Sequence, residues 1–259
     1  MGKATFAKDK QFNYSQNYIV DVIKFLKTLC KNAGKNGLKI NPQTELLKAV
    51  KKKSPFIYLN ENDILKLKNY TFKEDYLDNA RDWLIISCDT GQRISDFMRF
   101  NSKMLKNAIT PNGNSVTLID FVQDKTQKRM SILVTDLVEE ILKKRNREFP
   151  RKISEQKYNS YIKIACKKAG INDIVEGTMK DSNTKRQVTG FFEKHQLVVS
   201  HIGRRSFASN YYLKYPIGFL MNQTGHTSER TFYEYIGKTS NELTLAFADE
   251  IKRKNENKI

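Results

Sequence analysis

Cysteine is scarce in this sequence, and the three that occur, Cys30, Cys88 and Cys166, lie far apart in apolar or helical contexts. An odd number of widely spaced cysteines forms neither a disulfide framework nor a CxxC pair. We therefore predict reduced core cysteines and the reducing environment of a cytoplasm.

Long apolar runs are also missing. The sequence has no 18-residue apolar stretch, no basic amphipathic helix set apart from the rest, and no apolar core of an export signal near its start. These are the features by which membrane spans, membrane-surface helices and secretory signals are recognised. The sequence thus predicts neither membrane contact nor export.

Three common catalytic motifs are absent as well: the P-loop, a GxGxxG after a strand, and HExxH. Nucleotide-driven and zinc-driven chemistry therefore have no motif in their favour. Only three histidines occur, and the two in the stretch from Val199 to Tyr235, His201 and His226, have no acidic cluster beside them. We expect no cofactor and no metal site.

What the chain has in excess is positive charge. Lysine and arginine number 46 against 28 acidic residues, a net charge of +18. Such an excess gives affinity for polyanions, of which nucleic acid is the commonest. A generically basic cytoplasmic protein stays open as the alternative, while 39% hydrophobic residues are enough for a folded core.

Apolar periodicity indicates a mainly α fold with a small β-sheet, the α+β class. Period-two alternation predicts a hairpin at 115–134, and residues 172–198 form a polar segment with no assigned structure. Three lysines before Pro55 mark a boundary that divides the chain into 1–53 and 54–259. One helix is predicted to begin after Asn60, its N-cap. Further helices are predicted at 17–33, 77–88, 93–100, 137–147, 155–169, 216–224 and 241–254.

The densest group of chemically active residues lies between Val199 and Tyr235. His201 and Arg204 are three residues apart, a spacing that places both on one face of a helix. His226 follows a glycine that ends a short apolar helix, and Tyr235 lies nine residues further on. All four side chains donate hydrogen bonds or carry positive charge, which predicts a site for an anion.

Two more cations stand at turns. Arg93 opens a helix after the break at Gly91, where it would point into a cleft; the alternative is a surface charge paired with Asp96. Lys125 lies in the polar turn of the predicted hairpin, where a solvated lysine is the ordinary expectation.

Four segments in this order and at these separations resemble the catalytic motifs of the tyrosine recombinases, the phage-type integrases: TGQRISD at 90–96, DKT at 124–126, SHIGRRSFAS at 200–209 and TGHTSERTFYEY at 224–235. The likeness spans about residues 58–247. It implies that 54–259 is a catalytic domain, and that 1–53 holds a linker and the end of a helical core-binding domain.

The resemblance also implies a catalytic set, which consists of Arg93, Lys125, His201, Arg204, His226 and Tyr235. In that scheme Tyr235 attacks a phosphodiester, the arginines stabilise the phosphate and Lys125 protonates the leaving oxygen. Which group is the general base stays open. Asp96 would brace the first-arginine helix, and Tyr233 would pack or lie beside DNA.

The function implied is that of a site-specific DNA recombinase or integrase of a mobile element, working through a 3′-phosphotyrosine. Its partners would be double-stranded DNA, three further copies in a homotetramer on two duplexes, and accessory DNA-bending proteins, in a bacterial cytoplasm on the nucleoid. A chromosome-dimer-type resolvase and a telomere-type relative remain alternatives within this chemistry. A non-catalytic DNA-binding regulator and an RNA-binding module are alternatives outside it.

Overall fold

The structure of the chain is a computed structural model that describes residues 14, 16–48, 50–51, 55–181, 183, 186–236 and 240–256. It divides into two compact units, 1–55 with 177–190, and 56–176 with 191–259. The division into functional domains at residue 53 stays a prediction. None of the helices in the described ranges combines the length and the apolar character that a membrane crossing requires.

Helices dominate the described residues, and two small sheets accompany them, so the predicted α+β class is confirmed. The helices are α1 (Gln16–Lys35), α2 (Glu61–Asn69), α3 (Asp75–Thr90), α4 (Ile94–Phe97), α5 (Asp136–Lys144), α6 (Glu155–Lys168), α7 (Lys194–Leu197), α8 (Ile202–Tyr211), α9 (Ile217–Thr224), α10 (Glu229–Tyr233) and α11 (Ser240–Glu256). The strands are β1 (Leu105–Ile109), β2 (Ser115–Val122), β3 (Arg129–Leu133), β4 (Ile174–Lys180) and β5 (Gln187–Glu193).

The first unit contains α1, which forms where predicted but buries far less than its apolar periodicity indicates. Val20 is buried, whereas Leu26 and Leu29 are about half exposed. A 20-residue helix beside a five-residue 3-10 segment, Pro42–Leu46, has too little surface against which to pack. Cys30 is therefore only half-buried, which corrects the predicted core position, while Cys88 and Cys166 are buried as predicted.

The second unit is built around α3, which confirms the predicted central core helix. Leu77 and every residue of α3 from Asn79 to Thr90 are buried, so the helix is covered on all sides. Trp83 stacks on Phe149 at a centroid distance of 6.1 Å. The helix ends at Gly91, whose φ of 65° is readily reached only by glycine. The helix next in sequence, predicted to extend over 93–100, is the single turn α4.

The predicted hairpin is confirmed as β2 and β3, an antiparallel pair in which Ile119 faces Ile132. A third strand, β1, pairs with β2 and was not predicted, because its mostly exposed residues lack an apolar alternation. The unassigned segment 172–198 forms β4, β5 and α7. The two strands were not predicted for the same reason as β1. Strands with few buried side chains leave no clear period-two pattern to detect.

Helix α8 lies unusually close to α3 at Gly203. A Cβ placed on Gly203 would lie 2.6 Å from the Cβ of Ser87 and 2.8 Å from its backbone carbonyl carbon. Such distances require the backbone of α3 to move. This close approach sets the position of every α8 side chain relative to the end of α3.

We expect Gly203→Ala to lower the free energy of unfolding by roughly 1–3 kcal/mol, the usual cost of overpacking. The matched control is Gly218→Ala in α9, where a Cβ meets no atom within 4 Å among the described residues. It should be neutral or gain about 0.5–1 kcal/mol from helix propensity. Thermal and denaturant midpoints measure both, and a Gly203→Ala protein as stable as the wild type would contradict this packing.

Candidate active site

Arg204 is the centre of the candidate site. Its side chain is 1% exposed, and its Nη1 donates to the carbonyl oxygen of Gly91 at 2.9 Å while Nη2 donates to that of Thr224 at 2.8 Å. These bonds fix the guanidinium between the end of α3 and the end of α9. Burial and the nearby charge of Arg93 lower its pKa to about 10, so it remains charged at neutral pH.

His226 lies against this guanidinium, directly after Gly225, which ends α9 with a φ of 73°. Arg204 Nη2 is 3.1 Å from His226 Nε2, and Thr224 Oγ1 is 2.7 Å from His226 Nδ1. The Thr224 hydroxyl donates its hydrogen to the carbonyl oxygen of Leu220. Its oxygen therefore accepts from Nδ1–H, which leaves Nε2 as the acceptor for Arg204.

The pKa of His226 falls to about 3, first through burial and then through the charges of Arg204 and Arg93. The imidazole is therefore neutral at pH 7. In this tautomer the ring accepts from Arg204 at Nε2 and adds no charge to the site.

Tyr235 completes this group. Its ring centroid lies 5.1 Å from that of His226, and Arg204 Cζ lies 5.4 Å from it in a cation–π arrangement. Tyr233 instead packs its ring edge against Tyr212 at 6.0 Å and is 46% exposed. The geometry thus brings Tyr235, and not Tyr233, against the buried arginine.

Arg93 precedes α4 with extended backbone, half-buried, and its buried Nη1 has no hydrogen-bond partner within the described residues. Its charge lowers the pKa of Arg204, His226 and His201. The alternative pairing of Arg93 with Asp96 is wrong, because Asp96 pairs with Arg99 at 3.1 Å.

His201 is exposed and stands at the N-cap position just before α8, so it borders the helix face that carries Arg204. Partial desolvation of the ring lowers its pKa, and the charge of Arg205 lowers it further. His201 therefore lies at the rim of the site, where solvent and substrate can both reach it.

Lys125 lies in the turn between β2 and β3, exposed and without a side-chain hydrogen bond or ion pair to any described residue. The turn itself is held firmly. Asp96 Oδ1 accepts a hydrogen bond from the backbone N–H of Asp124 at 2.8 Å. Asp96, predicted to brace the first-arginine helix, thereby ties α4 to the turn that carries Lys125.

Two buried glutamines were missed by sequence analysis. Gln92 Nε2 donates to the carbonyl oxygen of Gln223 at 2.5 Å, and Gln123 Oε1 accepts from Thr126 Oγ1 at 2.7 Å. Gln123 Nε2 also lies 3.4 Å from Gln92 Oε1. Together they join the segments before Arg93, around the lysine turn and before His226.

A pattern in the sequence could have revealed Gln123. Ile119 and Phe121 are inward positions of β2, and Gln123 continues the same alternation one residue past its end. A glutamine where an apolar residue is expected indicates a buried polar contact.

Comparisons with protein-family models and with curated proteins found no match. Solved structures do match. A transposon Tn1549 integrase in complex with transposon right end DNA covers 94% of this chain and 81% of its own, with a TM-score of 0.58 and 13% identity. A lambda integrase dimer bound to a COC′ core site covers 89% and 82%, with a TM-score of 0.55 and 16% identity. XerA recombinase covers 93% and 78%, with a TM-score of 0.52 and 15% identity.

The chain has the fold of a tyrosine recombinase catalytic domain. The predicted resemblance is thus confirmed at the level of the fold. In this tyrosine recombinase fold, α8 and the ends of α9 and α10 bring Arg204, His226 and Tyr235 into one group. Within the described ranges no three His, Cys, Asp or Glu side chains are grouped to hold a metal ion. The chemistry of the donors suits a tetrahedral anion.

Proposed function

We propose that this protein is a site-specific DNA recombinase that cleaves and rejoins DNA through a 3′-phosphotyrosine intermediate. The observation that carries the proposal is the phenol of Tyr235 beside the buried Arg204 and the neutral His226. A tyrosine next to an anion-binding arginine has the parts for nucleophilic attack on a phosphodiester. The fold shared with integrases and recombinases supports the same conclusion.

In the first step, Tyr235 Oη would attack the scissile phosphorus and the 5′-oxygen would leave. The phosphodiester would become a 3′-phosphotyrosine, so its bond energy is retained and no water is consumed. In the second step, the 5′-hydroxyl of another strand would attack this linkage and release the tyrosine. The two transesterifications balance, and each requires one proton removed and one supplied.

Arg93 and Arg204 would stabilise the charge that spreads over the pentavalent phosphate. Arg204 is fixed by two carbonyl oxygens before substrate arrives, and Arg93 has a buried N–H without a partner among the described residues. Neutral His226 would hold the Arg204 guanidinium by accepting at Nε2, and it would donate to a non-bridging oxygen once its proton has moved from Nδ1 to Nε2. His201, at the exposed rim, would relay the phenol proton. Lys125, on a flexible stem above an anchored turn, would protonate the leaving 5′-oxygen.

The proposal extends to the oligomeric state and the biological role of the protein. One structural neighbour is a lambda integrase tetramer bound to a Holliday junction, and another is a transposon integrase. By analogy we infer a homotetramer on two DNA duplexes, assisted by accessory DNA-bending proteins, that integrates or excises a mobile element in a bacterial cytoplasm on the nucleoid. A chromosome-dimer-type resolvase would use the same site.

The experiment that tests the chemistry uses a pool of nicked duplexes with randomised sequence, incubated with the whole chain and then denatured in detergent. A recombinase would leave protein covalently attached to a subset of duplexes. The nick makes the fragment that carries the new 5′-hydroxyl short enough to diffuse away, so the strand cannot be rejoined. Capture should be unaffected by EDTA. Binding without any adduct would instead favour a non-catalytic DNA-binding regulator.

Duplex binding should weaken steeply with salt, since a net charge of +18 implies several phosphate contacts. The slope of log affinity against log salt should be about −0.9 for each phosphate neutralised. Fluorescence anisotropy on a labelled duplex between low and moderate salt measures it. A flat response would contradict a nucleic-acid substrate.

A further inference from the structure

Arg205 is a second arginine on α8, and it does not join Arg204 in the buried group. Adjacent residues of an α-helix point about 100° apart, so the two guanidinium groups diverge. Arg205 is half-buried, with Cζ 4.7 Å from the ring centroid of Phe56. The ring supports one face of the guanidinium and restricts where it can point.

No carboxylate compensates this charge. Within the described residues Arg205 has neither a salt bridge nor a side-chain hydrogen bond, although Glu155 lies near enough to His201 to affect that ring, and its carboxylate accepts from Ser200. A partly desolvated cation without an anionic partner costs folding free energy. Such a cost is offset when the protein binds an anion at that position.

The surroundings of Arg205 place that anion beside the candidate nucleophile. Arg205 is four residues after His201, on the same face of the helix. Its charge lowers the pKa of His201, and it interacts electrostatically with Tyr235. Arg205 therefore lies on the solvent side of the site, whereas Arg204 lies in its buried interior.

We propose that Arg205 binds the phosphate next to the scissile one on the cleaved strand. The inference rests on the proposed function. Two guanidinium groups that diverge from one helix cannot converge on a single phosphate, but they can hold consecutive phosphates of one strand. An arginine supported by an aromatic ring presents its fork of N–H donors to phosphate oxygens in a fixed direction. Arg205 would thereby set the register of the strand over Tyr235.

The test measures covalent capture on a duplex that the wild-type protein selects from the randomised nicked pool. A series of duplexes carries one neutral methylphosphonate each, at the scissile position and at its neighbours. Arg205→Met should slow capture of unmodified DNA by roughly 10–100-fold, the worth of a charged hydrogen bond. Neutralising the adjacent phosphate should slow the wild type by a similar factor and leave Arg205→Met almost unchanged.

Two further variants keep the test decisive. Arg205→Lys retains the charge without the planar fork, so its rate should lie between those of the wild type and Arg205→Met. Arg151→Met is the matched control, because Arg151 is exposed and pairs with Asp75 at the end of α3 farthest from the site. It should respond to every methylphosphonate as the wild type does.

Each outcome bears on the proposal. The proposal is supported if a methylphosphonate at the adjacent phosphate no longer slows capture by Arg205→Met but still slows capture by the wild type and by Arg151→Met. The proposal would be overturned if the effects of Arg205→Met and of the methylphosphonate multiplied at every position. It would also be overturned if the two effects were coupled only at the scissile phosphate. Failure of the wild type to capture any duplex would overturn the recombinase proposal itself, a result that is distinguishable because it precedes the phosphate series.

Discussion

Tyr235→Phe is expected to abolish covalent capture of nicked duplexes while leaving duplex affinity close to that of the wild type. The substitution removes only the attacking oxygen, and the ring that packs near His226 and Arg204 is retained. Detergent-resistant adduct measures the chemistry, and anisotropy on the same duplex measures binding. Loss of adduct with unchanged affinity assigns the defect to the chemical step.

The matched control is Tyr233→Phe. Tyr233 is two residues away and belongs to the same short motif, yet it packs against Tyr212 instead of the buried arginine. This variant should still form adduct at a rate near that of the wild type. If Tyr233→Phe were inactive and Tyr235→Phe active, the nucleophile would have been assigned to the wrong tyrosine.

Lys125→Ala should slow strand cleavage by roughly 10²–10⁴-fold, the usual worth of general acid catalysis. Duplex affinity should change far less, because one exposed lysine is a small part of the total positive charge. Single-turnover capture at saturating protein separates the two effects. The magnitude follows from a leaving 5′-oxygen that departs as a strongly basic alkoxide unless it is protonated.

A sulfur substitution distinguishes an acid from a structural residue. When the 5′-bridging oxygen is replaced by sulfur, the leaving group is a thiolate of much lower pKa that hardly needs a proton. Lys125→Ala should recover most of its rate on that substrate, whereas Arg93→Ala, which loses phosphate stabilisation, should not. Equal impairment of Lys125→Ala on both substrates would remove Lys125 from the catalytic set.

Much of the fold could be predicted from local rules. Asn60 was expected to cap α2, and its side chain accepts from the N–H of Asp63 while Asp63 accepts from the N–H of Asn60. Gly225 was expected near the end of α9, and it ends that helix in the left-handed region. Features of this kind depend on a few neighbouring residues, which the sequence displays directly.

The burial of α1 and the strands β4 and β5 could not be predicted in this way. An apolar stripe shows that a helix can be covered, but not whether its own chain supplies the cover, and Leu26 and Leu29 remain exposed. Strands without a buried face carry no alternation. The cover of α1 depends on contacts distant in sequence, whereas β4 and β5 pair with each other as consecutive strands and were missed because their residues show no regular alternation.

The candidate site, too, could be predicted only in part. The grouping of Arg204, His226 and Tyr235 could be predicted, because four short segments in one order resemble the motifs of a known family. The neutral state of His226 could not, since it depends on burial and on two arginines from α8 and from the start of α4. Nor could the bond from Asp124 to Asp96, which joins residues 28 positions apart.

The most direct test of recombinase chemistry is mass spectrometry of the protein–DNA adduct after proteolysis and nuclease digestion. We predict one modified peptide, containing Tyr235, with a nucleotide joined to the phenol oxygen through its 3′-phosphate, formed equally in EDTA. A phosphotyrosine at another position, a 5′ linkage, or cleavage that yields only free ends and requires a metal would contradict it.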